Sequence, residues 1–338
     1  MNPASHGRTT VGVIGAGLSG LVAAHELAKH GFLVTVFDKS RGVGGRMATR
    51  RAEPETSFDH GAQYFTATDP LFETRVNQWV DEGLVAKWPD AAKQQRFVVL
   101  KDGLIQRESR SLPRFVGTPA MNSVCKFLAV GLEIKKQTRI DRLVQVAGQV
   151  ELLDEDGMTI DKFDRVVVST PAEQTAELLV DSPDLKERIT PVSMSPCWAM
   201  MVTFDEPLTD QWVGAFLHES ILSWTARNST KPGRNSHCEQ IVVHATPEWT
   251  ETHWESPSEV VTEKMLQEFW RVTGIQPRRP IAVQGHRWKY AIAGDPLLDR
   301  YLESEHGRIL VCGDWVCGSR VEGAFLSGWA TAQKLSQP

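Results

Sequence analysis

The chain has 338 residues, 41% of them hydrophobic and 23% charged. That is ordinary globular usage, so neither a disordered polymer nor a collagen-like fibre fits, and the length allows one large α/β domain or two domains with separate cores. The balance of 37 Lys and Arg against 42 Asp and Glu leaves a net charge of −5, which argues against a polyanion-binding surface and hence against a nucleic-acid partner.

No apolar run approaches the ~20 residues that span a bilayer. The stretch 1–10 is short and polar, without a signal-peptide core. The expectation is a soluble, cytoplasmic protein with no membrane partner. The five cysteines (Cys125, Cys197, Cys238, Cys312 and Cys317) are odd in number and scattered. They suggest neither a disulfide framework nor a zinc ladder, and no metal is expected.

In chain order, Val11-Gly12-Val13-Ile14 reads as a buried strand running into Gly15-Ala16-Gly17-Leu18-Ser19-Gly20, and residues 21–30 read as a helix. Residues 32–37 form a second strand ending at Asp38. Strand and helix alternating at this spacing predict a parallel sheet. Residues 133–146 and 150–153 read as strands, the latter closed by Asp154-Glu155-Asp156-Gly157. Residues 165–169 form another, stopping at Pro171. The last strand, 308–312, leads into Gly313-Asp314 and a closing helix over 323–335. From 193 to 290 the pattern changes to alternating strands such as 199–204 and 240–244, with one amphipathic helix near 258–272. Six of the eleven tryptophans lie between Trp198 and Trp270.

Nucleotide-type elements therefore occupy both chain ends and the region 133–172. The expected fold class is α/β, a Rossmann-type dinucleotide domain carrying an inserted α+β domain with a mixed, largely antiparallel sheet. The expected division is 7–66, 108–172 and 304–338 for the first, and 67–107 and 173–303 for the second.

The pattern Gly15-x-Gly17-x-x-Gly20 gains meaning from its context. The first glycine permits a tight turn, the second lets a pyrophosphate approach the backbone, and the third permits close helix–strand packing. The following helix aims its N-terminal N–H groups at the phosphates. Asp38, at the end of the second strand, is placed to bind a ribose hydroxyl pair.

After Asp38 comes Lys39-Ser40-Arg41-Gly42-Val43-Gly44-Gly45-Arg46-Met47, a loop offering backbone amides and cations to a pyrophosphate. It resembles the RxGGR signature of the FAD-binding amine-oxidase-like flavoproteins, whose Rossmann domain is of the glutathione-reductase type. Gly313-Asp314-Trp315, Arg320-Val321-Glu322-Gly323-Ala324 and Ser327-Gly328 resemble that group's second flavin motif, and Ser169-Thr170-Pro171 resembles its third element. The resemblance implies non-covalent FAD. Gly15, Ala16, Gly17, Ser19 and Gly20 would open the site; Asp38 and Lys39 would lie at the adenosine ribose; and Gly45 and Arg46 would face the pyrophosphate. Ala62 and Gln63 would approach the flavin, Arg139 would contribute through its backbone on the adenine side, and Asp314, Val321 and Glu322 would lie near the ribityl chain and ring edge.

Further strings narrow the resemblance. Asp59-His60-Gly61-Ala62-Gln63-Tyr64-Phe65-Thr66, Leu222-Ser223-Trp224-x-Ala226-Arg227-Asn228, His244-Ala245-Thr246 and His286-Arg287-Trp288 with Tyr290 are similar to segments of renalases of the bacterial type. Ser319 stands where that family leads us to expect glycine, and residues 87–110 match nothing in it. The resemblance implies an FAD oxidase of isomeric dihydro-NAD(P), carrying the hydride at ring position 2 or 6. It would regenerate β-NAD(P)+ and reduce O2 to H2O2, a metabolite-repair role. The implied substrate pocket comprises Tyr64, Phe65, Thr66, Ala67, Thr68, Trp224, His244, Arg287, Trp288 and Tyr290.

A dihydronicotinamide already holds a transferable hydride, so the site needs walls that stack a ring and no general base. The hard chemistry is the cofactor's own. His286 reads as a structural histidine. Two other readings stay open: an FAD-dependent amine oxidase or desaturase, with aromatic residues flanking the flavin and Cys317 as a conceivable covalent link, and a non-catalytic binding module that keeps the fold.

Overall fold

A computed structural model describes residues 8–52, 56–90, 95–109, 112–234 and 237–337. The chain divides into two compact units, one formed by 1–45, 125–194 and 292–338, the other by 46–124 and 195–291.

The first unit is built on a six-stranded sheet in the order Leu302–Glu303, Ile309–Val311, Arg165–Val168, Thr10–Ile14, Leu33–Asp38, Glu133–Lys136. All neighbours are parallel except the outermost pair, Leu302–Glu303 with Ile309–Val311. The central strands read as continuous apolar runs because both their faces are covered. Helix Leu18–Lys29 packs against helix Val321–Ser336 so closely that a Cβ on Gly328 would sit 2.2 Å from the carbonyl oxygen of Ser19. A three-stranded antiparallel meander, Arg142–Val146, Gln149–Leu153 and Thr159–Phe163, covers another part of the sheet. Phe163 lies where a side chain on Gly12 would otherwise sit.

The expected strand over 133–146 is two strands. Gln137 adopts φ +53°, and the N–H groups of Gln137 and Thr138 leave the ladder to bond Ser40 O and Asp38 O. The chain then re-enters as the first strand of the meander.

The second unit carries a seven-stranded mixed sheet in the order Ala282–Ala293, Met194–Phe204, Glu239–Ala245, Leu222–Arg227, Gly214–Leu217, Phe97–Lys101, Leu104–Glu108. Of the pairings described, only Gly214–Leu217 with Phe97–Lys101 is parallel. One face is closed by helix Ser258–Thr273, whose Val261, Met265, Phe269 and Val272 recur at helical spacing and pack on Met200, Val202, Leu222, Ile241 and Val243. The helix stops at Gly274, φ +69°, the left-handed cap that glycine adopts without strain. The opposite face carries the candidate site.

These units break the chain at points other than those expected. Residues 173–194 and 292–303 fall with the parallel sheet, where Arg142 pairs with Asp181 and Leu302 pairs with Val311. Residues 46–66 and 108–124 fall in the second unit, where the hairpin Thr49–Ala52/Thr56–Asp59 is tied to Asn228, Lys231 and Arg234 through Asp59. The unanchored stretch 87–110 supplies the two outer strands of the mixed sheet, although its residues 91–94 and 110 lie outside the described residues. Among the described residues no helix is long and apolar enough to cross a membrane.

Candidate active site

In the first unit the three glycines of the first loop serve three different ends. Gly15 adopts φ +106°, and a side chain there would strike Ser169 Oγ at 2.7 Å. Gly20 lies against Gly15 O and Ser169 Oγ, which a Cβ would approach to 2.2 and 2.3 Å. Ser169, from the third sequence element, donates to Ile14 O at 3.1 Å and Gly15 O at 2.9 Å. Gly17 differs from both. Its φ of −76° and ψ of 177° suit any residue, and no protein atom lies within 4 Å of where its Cβ would be. Neither backbone strain nor packing against described residues explains a glycine there, and its open side leaves the backbone accessible to a bound group.

Gly17 also begins helix Leu18–Lys29, whose first turn has no side-chain cap. Helix Val321–Ser336 likewise starts after Arg320 without one. Uncapped first-turn N–H groups plus the dipole make each terminus a donor for anionic or electron-rich oxygen. Val321 and Glu322 occupy that first turn in the second helix, and the preceding loop carries buried Asp314, whose backbone O accepts from Ser319 N–H.

The second loop closes on the first. Gly44 N–H donates to Ala16 O at 2.8 Å, and Gly45, at φ +52°, would bring a Cβ to 3.3 Å from Gly17 Cα. Asp38 accepts from Ala16 N–H and Ser40 N–H, both at 2.7 Å. A carboxylate has about four acceptor positions, so two remain open beyond these backbone contacts. Lys39 follows on the same loop. Arg139 turns its guanidinium to Asp141, 2.8 Å away, while the backbone just before it lies on the Asp38–Ser40 loop.

In the second unit a β-bulge aims the site. Leu222 pairs with Ala245 and Trp224 with His244, leaving Ser223 as the extra residue. The insertion sends Leu222 to the helix-covered face and Trp224 to the other. Tyr64, Phe97, Phe216 and Trp224 form an aromatic wall there, with Trp224 5.6 Å from Tyr64, 5.8 Å from Phe97 and 4.8 Å from Phe216 between ring centroids. Phe65 does not join it: the ring turns away to stack on Phe115 and meet Phe72. Thr66, Ala67 and Thr68 continue the loop, with Ala67 buried.

A second group surrounds His60. Trp288 Nε1 and His244 Nε2 both donate to His60 O at 3.0 Å. The rings of His60, His286 and Trp288 lie 4.6–4.8 Å apart. His286 Nδ1 accepts from Arg50 Nη1 at 3.3 Å. Burial pulls His60 down to about 3, and His286 and Arg50 push it the same way. Burial holds His244 at about 4, and burial with Arg50 holds His286 at about 4. All three imidazoles are neutral at neutral pH.

Arg287 stands apart from this group. Strand alternation puts it on the helix-covered face, over the rings of Trp198 and Trp254 and donating to Trp254 O at 2.7 Å. Tyr290 shares the parity of His286 and Trp288 along the strand.

Beneath the loop lies a buried charge cluster that the sequence reading does not identify. Asp59 is fully buried and accepts from Thr49 Oγ1, Met121 N–H, Lys231 Nζ and Arg234 Nη2. Burial alone would raise its carboxyl, but Lys231 and Arg234 outweigh it and hold the group far below the usual range. Burial brings Lys231 down to about 8 against the pull of Asp59. Lys231 also donates to Gln63 Oε1 at 3.2 Å, while Gln63 Nε2 donates to Asp59 O and Gly61 O. The segment 59–63 is thereby locked, and Ala62 N–H donates to Arg46 O at 2.9 Å. Gly61 admits no side chain, because a Cβ would meet Arg46 O at 2.1 Å and Trp288 at 3.3 Å.

A parallel sheet with a glycine loop after its first strand, an acid at the end of its second strand and an uncapped helix terminus between them is the arrangement of a dinucleotide-binding domain. Residues 13–82 match an NAD(P)-binding Rossmann-like domain, and residues 105–336 match the flavin containing amine oxidoreductases. The chain belongs to the flavin containing amine oxidoreductase family, and its cofactor is FAD. Curated relatives match over shorter stretches. Protein FLOWERING LOCUS D of Arabidopsis thaliana is 39% identical over 69 residues, 20% of this chain and 9% of that protein. An L-glutamate oxidase precursor of Streptomyces diastatochromogenes is 42% identical over 69 residues, 20% of this chain and 10% of its own. Protoporphyrinogen oxidase 2 of Arabidopsis thaliana is 33% identical over 94 residues, 28% of this chain and 18% of its own. The chain thus spans less than a fifth of the length of these relatives. A provisionally described protoporphyrinogen oxidase from Exiguobacterium sp. 255-15 superposes with a TM-score of 0.76 at 12% identity, over 97% of this chain and 98% of its own. Wild-type putrescine oxidase bound to putrescine does so with 0.72 at 13% identity, over 97% and 99%. At such identities the likeness is one of fold.

Proposed function

We propose that the protein oxidises isomeric dihydro-NAD(P), the 2- or 6-dihydronicotinamide forms, to β-NAD(P)+, with O2 as final acceptor and H2O2 as product, in a metabolite-repair role in the cytoplasm. The reading rests on one observation above the others: the site face joins flat aromatic walls to imidazoles that are all neutral, two of them spent on backbone or arginine contacts. Amine oxidation begins with an amine that is mostly protonated at neutral pH, so a proton must be lost. A dihydropyridine needs only to be stacked and kept dry, which Tyr64, Trp224 and Trp288 suit. Bound FAD, held without a covalent link, supplies the two-electron acceptor. In the first unit, Gly17, Gly45 and the first helix terminus would hold the pyrophosphate and Asp38 the ribose; in the second unit, the segment 61–63 is locked. His244 and Trp288 act through His60 O by fixing that segment.

The test is anaerobic bleaching of the flavin band by isomeric dihydro-NAD, by ordinary 4-dihydro-NAD and by a panel of amines. Fast bleaching by the isomer alone is the expected result. Bleaching by amines with the isomer inert would make this an amine oxidase, for which the Tyr64–Trp224 ring pair would supply an aromatic flank. Acid precipitation should release all the yellow colour into the supernatant, whereas colour retained in the pellet would indicate a covalent bond such as one to Cys317.

A further inference from the structure

Arg114 sits on the same aromatic wall and takes no part in the functions assigned above. Its side chain is buried, 7% exposed, with the guanidinium carbon 4.0 Å from the ring centre of Phe97 and 5.0 Å from that of Tyr64. Its recorded hydrogen bonds go to Ser109 alone, from Nη2 to Oγ at 3.1 Å and from Nη1 to O at 3.5 Å. Its Nε is buried without an acceptor, and no carboxylate pairs with it among the described residues. Contact with two rings compensates a buried cation only in part. Asp59 shows how this chain handles buried charge elsewhere, pairing it with opposite charge.

Trp224 adds an independent observation. Its indole N–H is also buried without an acceptor, on a ring that meets both Tyr64 and Phe97. Two donors without acceptors, one of them cationic, therefore flank the same two rings. Buried donors without partners are uncommon, and a guanidinium is suited to bidentate recognition of phosphate or carboxylate.

We infer that Arg114, with Trp224 Nε1, forms an anion subsite that binds a phosphate or carboxylate carried by a substrate whose ring lies against Tyr64 and Phe97. This deepens the dihydronicotinamide reading by giving that substrate's phosphates a partner, yet its test does not depend on turnover.

The holoprotein is titrated calorimetrically with inorganic pyrophosphate and, separately, with benzoate. One saturable site for either anion is expected, with affinity lowered at least tenfold in Arg114→Met, which keeps the apolar stem on Phe97. Trp224→Phe, which removes the donor and keeps a smaller aromatic ring, should weaken it about threefold to tenfold. Arg114→Met should also lose the salt dependence of binding, whereas Arg114→Lys should keep it. Saturation by pyrophosphate assigns the subsite to a phosphate, and saturation by benzoate alone to a carboxylate. Absence of saturable binding by both, or equal affinity in Arg114→Met and the parent, overturns the inference. If Arg114→Met does not fold, unchanged affinity in Trp224→Phe and Arg114→Lys overturns it equally. Failure of the dihydronicotinamide reading appears separately, as an isomer that leaves the flavin unbleached while anion binding persists.

Discussion

At Ser319 the chain adopts φ +56°, the region that glycine occupies freely and where other residues carry about 1–2 kcal/mol of strain. This explains why glycine is expected before Arg320. The serine partly offsets the strain by donating to Ala293 O at 2.9 Å, a bond worth about 0.5–1.5 kcal/mol. Ser319→Gly should therefore leave stability within about 1 kcal/mol of the parent, while Ser319→Ala, which keeps the strain and loses the bond, should fall below the glycine variant by about 1–2 kcal/mol. Urea midpoints of the three proteins check both. At Asp38 the sequence assigns a ribose contact, but the structure adds that the same carboxylate ties the two loops together through Ala16 and Ser40. Asp38→Ala should thus lower FAD retention and thermal stability together, read from cofactor content and melting temperature. No motif marks Arg114 or Lys231, because what distinguishes them is burial, which a charged residue in a polar-looking stretch gives no sign of in one dimension.

Among the elements, the legible ones are those with a single strong period. Strand Thr10–Ile14, helix Ser258–Thr273 and helix Val321–Ser336 stand within a few residues of where their patterns put them. Helix Pro70–Asp81 carries its own signals, with Asp69 as cap, proline in the first turn, and Phe72, Val76 and Trp79 on one face, yet it lies in a stretch the sequence reading leaves unassigned. The bulge at Ser223 is less legible: one inserted residue reverses which side chains face the site, and strict alternation would have put Trp224 beside Leu222. The glycine loop supports a contrast at this scale. Gly20→Ala should disrupt the turn, since its Cβ meets Gly15 O and Ser169 Oγ. Gly17→Ala should fold with a melting temperature like that of the cofactor-stripped parent, but fail to retain FAD. If Gly17→Ala kept a full complement of flavin, the pyrophosphate would not pass over that position.

For the whole molecule, the buried ionisable groups set how stability depends on pH. His60, His244 and His286 titrate near 6.5 when unfolded but are held to about 3, 4 and 4 in the fold. Between those limits the unfolded chain binds more protons than the folded one, so stability falls as pH drops from about 6.5 toward 4. Melting temperatures of the holoprotein across that range should decline, and His244→Gln, which can still donate to His60 O, should flatten the slope. Asp59→Asn should cost about 3–5 kcal/mol by leaving two buried cations without their carboxylate, measurable as a shift in the urea midpoint. The class of fold was legible because the nucleotide motifs sit at fixed places on strands and helices. The unit boundaries were less so, because the paired strands Thr49–Ala52 and Thr56–Asp59 are placed by Asn228, far away in sequence, and the segment 292–303 by Trp315 and Val311, further along the chain.

The packing of helix Leu18–Lys29 on helix Val321–Ser336 has a consequence for the order in which the protein is made. The early helix leaves the ribosome long before its partner exists, and at ordinary elongation rates the delay is roughly 15–60 s. During that interval the face of the early helix that Gly328 closes on at Ser19 has no native cover, and strand Arg165–Val168 likewise awaits Ile309–Val311. A nascent chain arrested before residue 309 should therefore be captured by chaperones and sensitive to protease within its first forty residues, whereas release of the full chain should bring protection there abruptly, late and together with the competence to take up flavin.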